Sequence, residues 1–156
     1  MAAQIDINEV HWLLDIVQCL DVGVVVLDRQ YRIEVWNSFM ENHSGLGPDQ
    51  VQNRTLFELF EEIDEAWFRR KGETVFELGT RAFSLWEQRP YLVHFKNYQP
   101  ITGQEDFMSQ NVTLLPLAAG HGPIEHLCVV IYDVTAAAQH KKQLAALRGV
   151  LPLDKT

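Results

Sequence analysis

Residues 21–37 read DVGVVVLDRQYRIEVWN, and no other stretch limits the fold as much. Two short apolar runs, rich in β-branched residues, flank Asp28, Arg29 and Gln30. Branching at Cβ suits the pleated, half-buried surface of a strand better than a helix. The stretch therefore predicts two strands joined by a short hairpin connection. In the first, Val22, Val24 and Val26 alternate with Gly23, Val25 and Leu27. In the second, Tyr31, Ile33 and Val35 alternate with Arg32, Glu34 and Trp36, which predicts one wet face.

The hairpin sits between helical patterns. Before it, Val10, Leu13, Leu14, Val17 and Leu20 form one stripe on a helix over 8–20, widened by Trp12 and Ile16, with Asn8 as N-cap. Such a helix must rest on the domain or on a second copy of itself. After it come short helical pieces broken by Gly45, Gly47 and Pro48. Asn37 suits the cap of the first piece and Gly45 its left-handed end. Thr55 and Glu58 have capping-box spacing, and Leu56, Phe57, Leu59, Phe60 and Ile63 supply a buried face. Residues 64–89 read as a longer helical region, interrupted near the front by Gly72 and ended by Pro90. Val75, Leu78, Ala82, Leu85 and Trp86 recur there at helical spacing.

The last third returns to strands. YLVHFKN at 91–97 alternates, FMSQNVTLLPL at 107–117 is a second strand and HLCVVIYDV at 126–134 a third. YQPITGQED and AAGHGPIE read as connections. From Thr135, TAAAQHKKQLAALRG is rich in helix formers and ends at Gly149 and Pro152. Ala137, Leu144 and Leu151 stand seven apart, with Leu147 between, a thin seam interrupted by His140.

This order of elements resembles a PAS domain, the small sensor module of signalling proteins. Three stretches carry the likeness: DVGVVVLDRQYRIEVWNSFMENHSG, GPDQVQNRTLFELF and VVIYDVTAAAQHKKQL, spanning roughly residues 20–145. YLVHFKNYQPITG, QNVTLLPL and YDVT resemble sensory PAS modules placed ahead of diguanylate cyclase domains. The resemblance implies an α+β fold: a five-stranded antiparallel sheet with short helices on one face, plus N- and C-terminal flanking helices. The chain then divides into an N-terminal cap or dimerisation helix (1–20), a core (21–134), a C-terminal signalling helix (135–149) and a tail (150–156). Both terminal helices would leave the core close together. Asp133 and Thr135 would couple the sensor to an output domain, most simply a diguanylate cyclase or alternatively a histidine kinase. Thr135 suits the N-cap of the last helix, its hydroxyl accepting from a first-turn N–H. Val10, Leu13, Leu14, Val17, Leu144 and Leu147 would form a homodimer contact. A ligand-free dimerisation and scaffolding module is the rival expectation.

Trp36, Phe39, Phe57, Phe60, Trp67, Phe76, Phe83 and Phe95 are the candidates for lining a small-molecule pocket, or else for filling the core. The six histidines, His11, His43, His94, His121, His126 and His140, lack ligand-like spacing; the resemblance implies that a haem ligand would lie on or near the long helix, and 64–89 holds no His, which disfavours haem. Alternation puts His94 opposite Val93 and Phe95. The resemblance implies that a flavin-binding photosensor would carry its reactive Cys in the central helices; Cys19 and Cys128 lie outside them, which disfavours a covalent flavin adduct, and both read as buried filler in a reducing cytoplasm. Glu61, Glu62, Asp64 and Glu65 read as a solvated acidic face, and no nucleophile sits in a recognisable catalytic turn. Net charge is −8, which disfavours nucleic acid and anionic membranes. No apolar run reaches the roughly 18 residues of a membrane span, and no signal peptide is visible.

Overall fold

The computed structural model describes residues 7–95, 107–118 and 122–150. Its elements run α1 (Ile7–Cys19), β1 (Gly23–Asp28), β2 (Ile33–Trp36), α2 (Ser38–Ser44), α3 (Pro48–Val51) and α4 (Leu56–Leu59). They continue with α5 (Glu65–Leu78), β3 (Ala82–Ser84), β4 (Gln110–Leu117), β5 (His126–Asp133) and α6 (Thr135–Val150). The five strands form one sheet in the order β2-β1-β5-β4-β3, and every pairing is antiparallel.

Register fixes where the chain enters and leaves. Gly23, at the start of β1, pairs with Ile131 near the end of β5. The helix before β1 and the helix after β5 are therefore attached at the same end of two neighbouring strands. Gly23 also lets α2 lie close on the sheet: a Cβ there would sit 2.6 Å from Met40 Sδ and 3.2 Å from a Phe39 ring carbon.

The hairpin forms as its residues predict, with one departure. Trp36, expected on the wet face, is buried. Val26 pairs with Val35 but Leu27 pairs with Ile33, so Glu34 is an extra residue on β2. Such a bulge reverses the facing of everything beyond it, and it delivers Trp36 to the core opposite Val25.

α5 is shorter than its periodicity predicts. Asp64 caps it, its Oδ1 accepting from the Trp67 N–H at 3.1 Å. Gly79 ends it in the left-handed conformation (φ 65°), its N–H donating to the Val75 carbonyl. Phe68, Gly72, Val75 and Phe76 form the buried face, so Gly72 belongs inside the helix rather than interrupting it. Leu78 is exposed, and Ala82 opens strand β3, not a further helical turn. Residues 91–95 are likewise not a strand. The side chain of Gln110 intercepts their backbone: its Oε1 accepts from the Leu92 and Val93 N–H groups at 2.9 and 3.3 Å.

At the ends, Ile7 is already helical in α1, so Asn8 lies inside the helix instead of capping it, and Gly149 lies inside α6 instead of ending it. Asn37, Gly45 and Thr55 terminate helices as expected, but the Glu58 carboxylate pairs with Arg54 and does not complete a box. The expected connection at 98–106, the remainder of 96–97, His121, and Leu151 with Pro152 in the tail lie outside the described residues.

Candidate functional site

The predicted aromatic set separates into two clusters and two outliers. One cluster surrounds Tyr31: Phe57, Phe68 and Phe76 stand 5.7, 5.9 and 6.0 Å from its ring centroid. Tyr31 is buried despite a left-handed backbone (φ 64°), and its hydroxyl donates to Glu73 Oε1 at 2.9 Å. Burial, then the Glu73 hydrogen bond and charge, push its phenol well above the ordinary tyrosine range.

The second cluster is a relay of rings. Trp36 stacks on Phe60 at 6.1 Å, Phe60 meets Phe95 edge-on at 6.4 Å, Phe95 lies 5.7 Å from His43, and His43 lies 4.3 Å from Phe39. Phe83, placed among the candidates by its residue type, is 56% exposed on the edge strand β3 and lines no interior. Trp67 is half-buried at the margin of the core, beneath the Arg89 guanidinium at 4.0 Å.

His43 was only one of six scattered histidines in the sequence, yet it completes this relay. It follows Phe39 by four residues, so the two share a face of α2. Burial lowers its pKa below the ordinary 6.5, with the charges of Asp133 and Asp21 acting in the opposite direction. A folded-state value below the unfolded one means that the neutral ring stabilises the fold. That contribution is present above about pH 6.5 and is lost as pH falls through the lowered value. We expect denaturation midpoints to decline over that window in the native chain and to decline less in His43→Gln, measured by urea titration across pH.

From Phe95 a chain of hydrogen bonds leads to the last helix. Phe95 accepts from the Met108 N–H at 2.8 Å. Gln110, fully buried, also donates through Nε2 to the Val93 carbonyl at 2.7 Å. Beside it, the Ser109 N–H donates to Thr135 Oγ1 at 3.0 Å, and the Ser109 carbonyl accepts from the Val134 N–H at 2.9 Å. Thr135 in turn donates its hydroxyl to Asp133 Oδ1 at 2.5 Å, and its N–H reaches the same oxygen at 3.0 Å. The Thr135 hydroxyl was expected to accept from the first turn of its own helix. It accepts instead from Ser109, the residue before β4, and the Asp133 carboxylate satisfies the helix-start N–H.

At the other helix, Asn37 is fully buried and uses its whole amide. Its Oδ1 accepts from Val24 and Met40 N–H groups at 3.1 and 3.3 Å, and its Nδ2 donates to the Val17 and Val22 carbonyls at 3.0 and 2.8 Å. Gln110, Ser109 and Asn37 have no part in the sequence-level site. The available signal for Gln110 was a lone polar residue on the inward-facing alternation of β4, with Val112 and Leu114.

Other expectations are placed as follows. Val10, Leu13 and Leu14 are exposed, and so are Leu144 and Leu147, while Val17 is half-buried. Cys19 is exposed and not buried filler. Cys128 is buried, and burial pushes its thiol up to about 11. The acidic run is not merely solvated: Glu62 accepts from the His94 N–H at 2.8 Å and Asp64 caps α5. His94 itself is exposed beside Tyr91 and Phe107. Among the described residues no three His, Cys, Asp or Glu side chains converge as metal ligands, and no helix is long and apolar enough to cross a membrane.

A family model described as PAS fold matches residues 18–139. The chain belongs to the PAS-fold family. As a PAS domain it is a sensory module and not itself a catalyst. No curated protein matches it. Among solved structures it is similar to a sensory box sensor histidine kinase from Vibrio cholerae, with 28% identity, a TM-score of 0.58, and 82% of this chain and 94% of that one covered. A PAS domain from Colwellia psychrerythraea aligns with a TM-score of 0.60 at 12% identity, covering 81% and 98% of the two chains. The PAS domain of BvgS from Bordetella pertussis aligns with a TM-score of 0.58 at 15% identity, covering 92% and 99%.

Proposed function

We propose that this PAS domain is the cytoplasmic sensory part of a dimeric signalling protein, and that it passes a signal through Asp133 and Thr135 into α6. The single observation that carries this reading is the contact path from the Phe39–His43–Phe95 rings, through Met108 and Gln110, which hold the backbone of 92–95, and the Ser109 between them, to Thr135. A small ligand among the aromatic rings, or a change at the dimer contact, would move this path only by its differential affinity for two arrangements. Hydrogen-bonded and closely packed joints favour discrete arrangements over gradual bending.

The homodimer rests on α1. None of its residues is buried, and Ile7, Val10, Trp12, Leu13, Leu14 and Ile16 are all exposed. A 13-residue helix is marginal by itself in water, and an apolar face of this kind marks an interaction surface. A second copy is the partner we assign to it, with Leu144 and Leu147 of α6 continuing the contact. Leu13→Glu with Leu14→Glu is expected to convert dimers to monomers in sedimentation velocity at equal concentration. Dimers that persist would remove α1 from the interface.

For the output we assign a diguanylate cyclase following α6, on the resemblance of YDVT and its neighbouring stretches. A histidine kinase is the second reading, favoured by the 28% identity to the Vibrio cholerae sensor kinase. Incubating the full-length protein with GTP and, separately, with radiolabelled ATP distinguishes them. A cyclic dinucleotide product supports the first and histidine phosphorylation the second. A native mass spectrum that retains a small molecule supports sensing, whereas bare dimers support the scaffolding rival.

A further inference from the structure

We infer that the cleft between the end of α1 and α2 binds a small organic cation, an amine or a guanidinium compound. The cleft has a volume of about 340 Å3, and its walls include Gln18, Asp21, Ser38, Phe39, Asn42 and His43. That volume lies at the lower end of the range typical of small-molecule pockets, roughly 300–1,000 Å3.

The chemistry of the walls selects the ligand. Asp21 supplies a carboxylate, Asn42 and Gln18 supply amides, and the His43 ring, with the small exposed part of the largely buried Phe39 packed against it, supplies the aromatic wall; no Lys or Arg is among the lining residues. A carboxylate beside an aromatic ring is the combination that holds an ammonium or guanidinium group, through charge-assisted hydrogen bonds and the ring's negative face. A second carboxylate reinforces the sign of the field. Gly23 pairs with Ile131, so Asp21 and Asp133 each lie two residues beyond the paired ends of β1 and β5. Both charges act on the His43 ring. Burial keeps that ring neutral near pH 7, so it adds no opposing positive charge. An organic cation is preferred over a metal because no set of three His, Cys, Asp or Glu ligands converges among the described residues.

The position gives the ligand leverage. A cation in the cleft touches the last turn of α1, the α1–β1 connection and α2 together. It would add to the two contacts that tie α1 to α2 there, Asn37 Nδ2 to the Val17 carbonyl at 3.0 Å and Ser38 Oγ to Gln18 Oε1 at 2.9 Å. The wall residue His43 is also the ring that meets Phe95. The consequence for signalling rests on the sensory reading above, but binding does not.

Calorimetric titration of the full chain with putrescine, agmatine and choline tests the site, with succinate and magnesium chloride as counter-probes. We expect saturable binding of at least one organic cation, weakened about tenfold or more in Asp21→Asn and unchanged in Glu61→Gln. Absence of saturable binding by all three cations would overturn the assignment. So would binding indifferent to Asp21→Asn, or preferential binding of succinate or magnesium. Hydrogen exchange with the cation bound then separates the two claims: slower exchange in both α1 and α6 supports site and sensory reading together. Unchanged exchange with Asp21-dependent binding supports the site and counts against the sensory reading.

Discussion

Gly72→Val is expected to lower the unfolding free energy by about 3 kcal/mol. The mid-helix position makes this counter-intuitive, because replacing glycine inside a helix ordinarily adds stability, up to about 1 kcal/mol for alanine. Here a Cβ would sit 2.6 Å from Tyr31 Oη, 2.8 Å from Cε1 and 3.1 Å from Cζ. The tyrosine cannot withdraw cheaply. Phe57, Phe68 and Phe76 surround its ring, Glu73 holds its hydroxyl, and its own backbone is left-handed. A clash with a side chain locked on all sides outweighs the propensity gain. Gly149→Ala is the contrast: nothing lies within 4 Å of its Cβ position in α6, so it should be neutral or slightly stabilising. Urea unfolding of both variants checks the pair. Tyr31→Phe should recover part of the Gly72→Val loss, since the hydroxyl is the nearest clashing atom, and a double-mutant cycle would show that coupling.

Asn37→Ala is expected to cost about 3 kcal/mol or more, from the lost cap and from buried groups left without partners. Four backbone groups depend on that one amide: two N–H donors, on Val24 and Met40, and two carbonyls, on Val17 and Val22. Its amide alone ties the end of α1, the start of β1 and the first turn of α2 together by hydrogen bonds among the described residues. Asn37→Asp separates the roles. It keeps an acceptor for the Val24 and Met40 N–H groups but cannot donate to the Val17 and Val22 carbonyls. We expect Asn37→Asp to retain α2 while α1 exchanges its amide hydrogens faster. Equal protection of α1 in Asn37→Asp and the native chain would mean that the amide does not anchor the helix.

These two residues mark what could be read from the sequence and what could not. Asn37 was legible as a cap because capping is local: a short polar side chain precedes a helical turn. Its hold on α1 was not legible, because nothing in residues 8–20 signals which carbonyl a distant amide will reach. Gly72 was read as an interruption, since a glycine in a helix has that meaning unless a large side chain must pass close by, and Tyr31 lies 41 positions earlier in the sequence. Likewise, β4 and β5 were readable from alternation and β-branched content, which depend only on neighbours. β3 was missed because Ala82, Leu85 and Trp86 happen to match helical spacing, while the left-handed turn at Gly79 ends the helix before them. The segment at 91–95 alternates like a strand, but its N–H groups go to the Gln110 amide (Leu92 and Val93), the Glu62 carboxylate (His94) and the Val93 carbonyl (Phe95) rather than to a ladder. The facing of Trp36 depended on a single extra residue in β2, invisible to a pattern with a period of two. The aromatic candidates were chosen by residue type alone. Type identifies core material, but only the fold separates the His43–Phe95 relay from Phe83 on the surface.

We propose that a disturbance beside Phe95 reaches α6 through Met108, Gln110, Ser109 and Thr135. Amide hydrogen exchange in Gln110→Leu checks it, because the substitution removes the hydrogen bonds holding 92–93 while filling the same buried space with an apolar side chain of similar size. The β1–β5 pairing from Gly23 to Asp28 serves as the internal reference for global stability. The account predicts faster exchange at residues 136–140 of α6 with protection in β1 retained. Unchanged exchange at 136–140 in a folded Gln110→Leu protein, or loosening spread equally over β1 and α6, would contradict it.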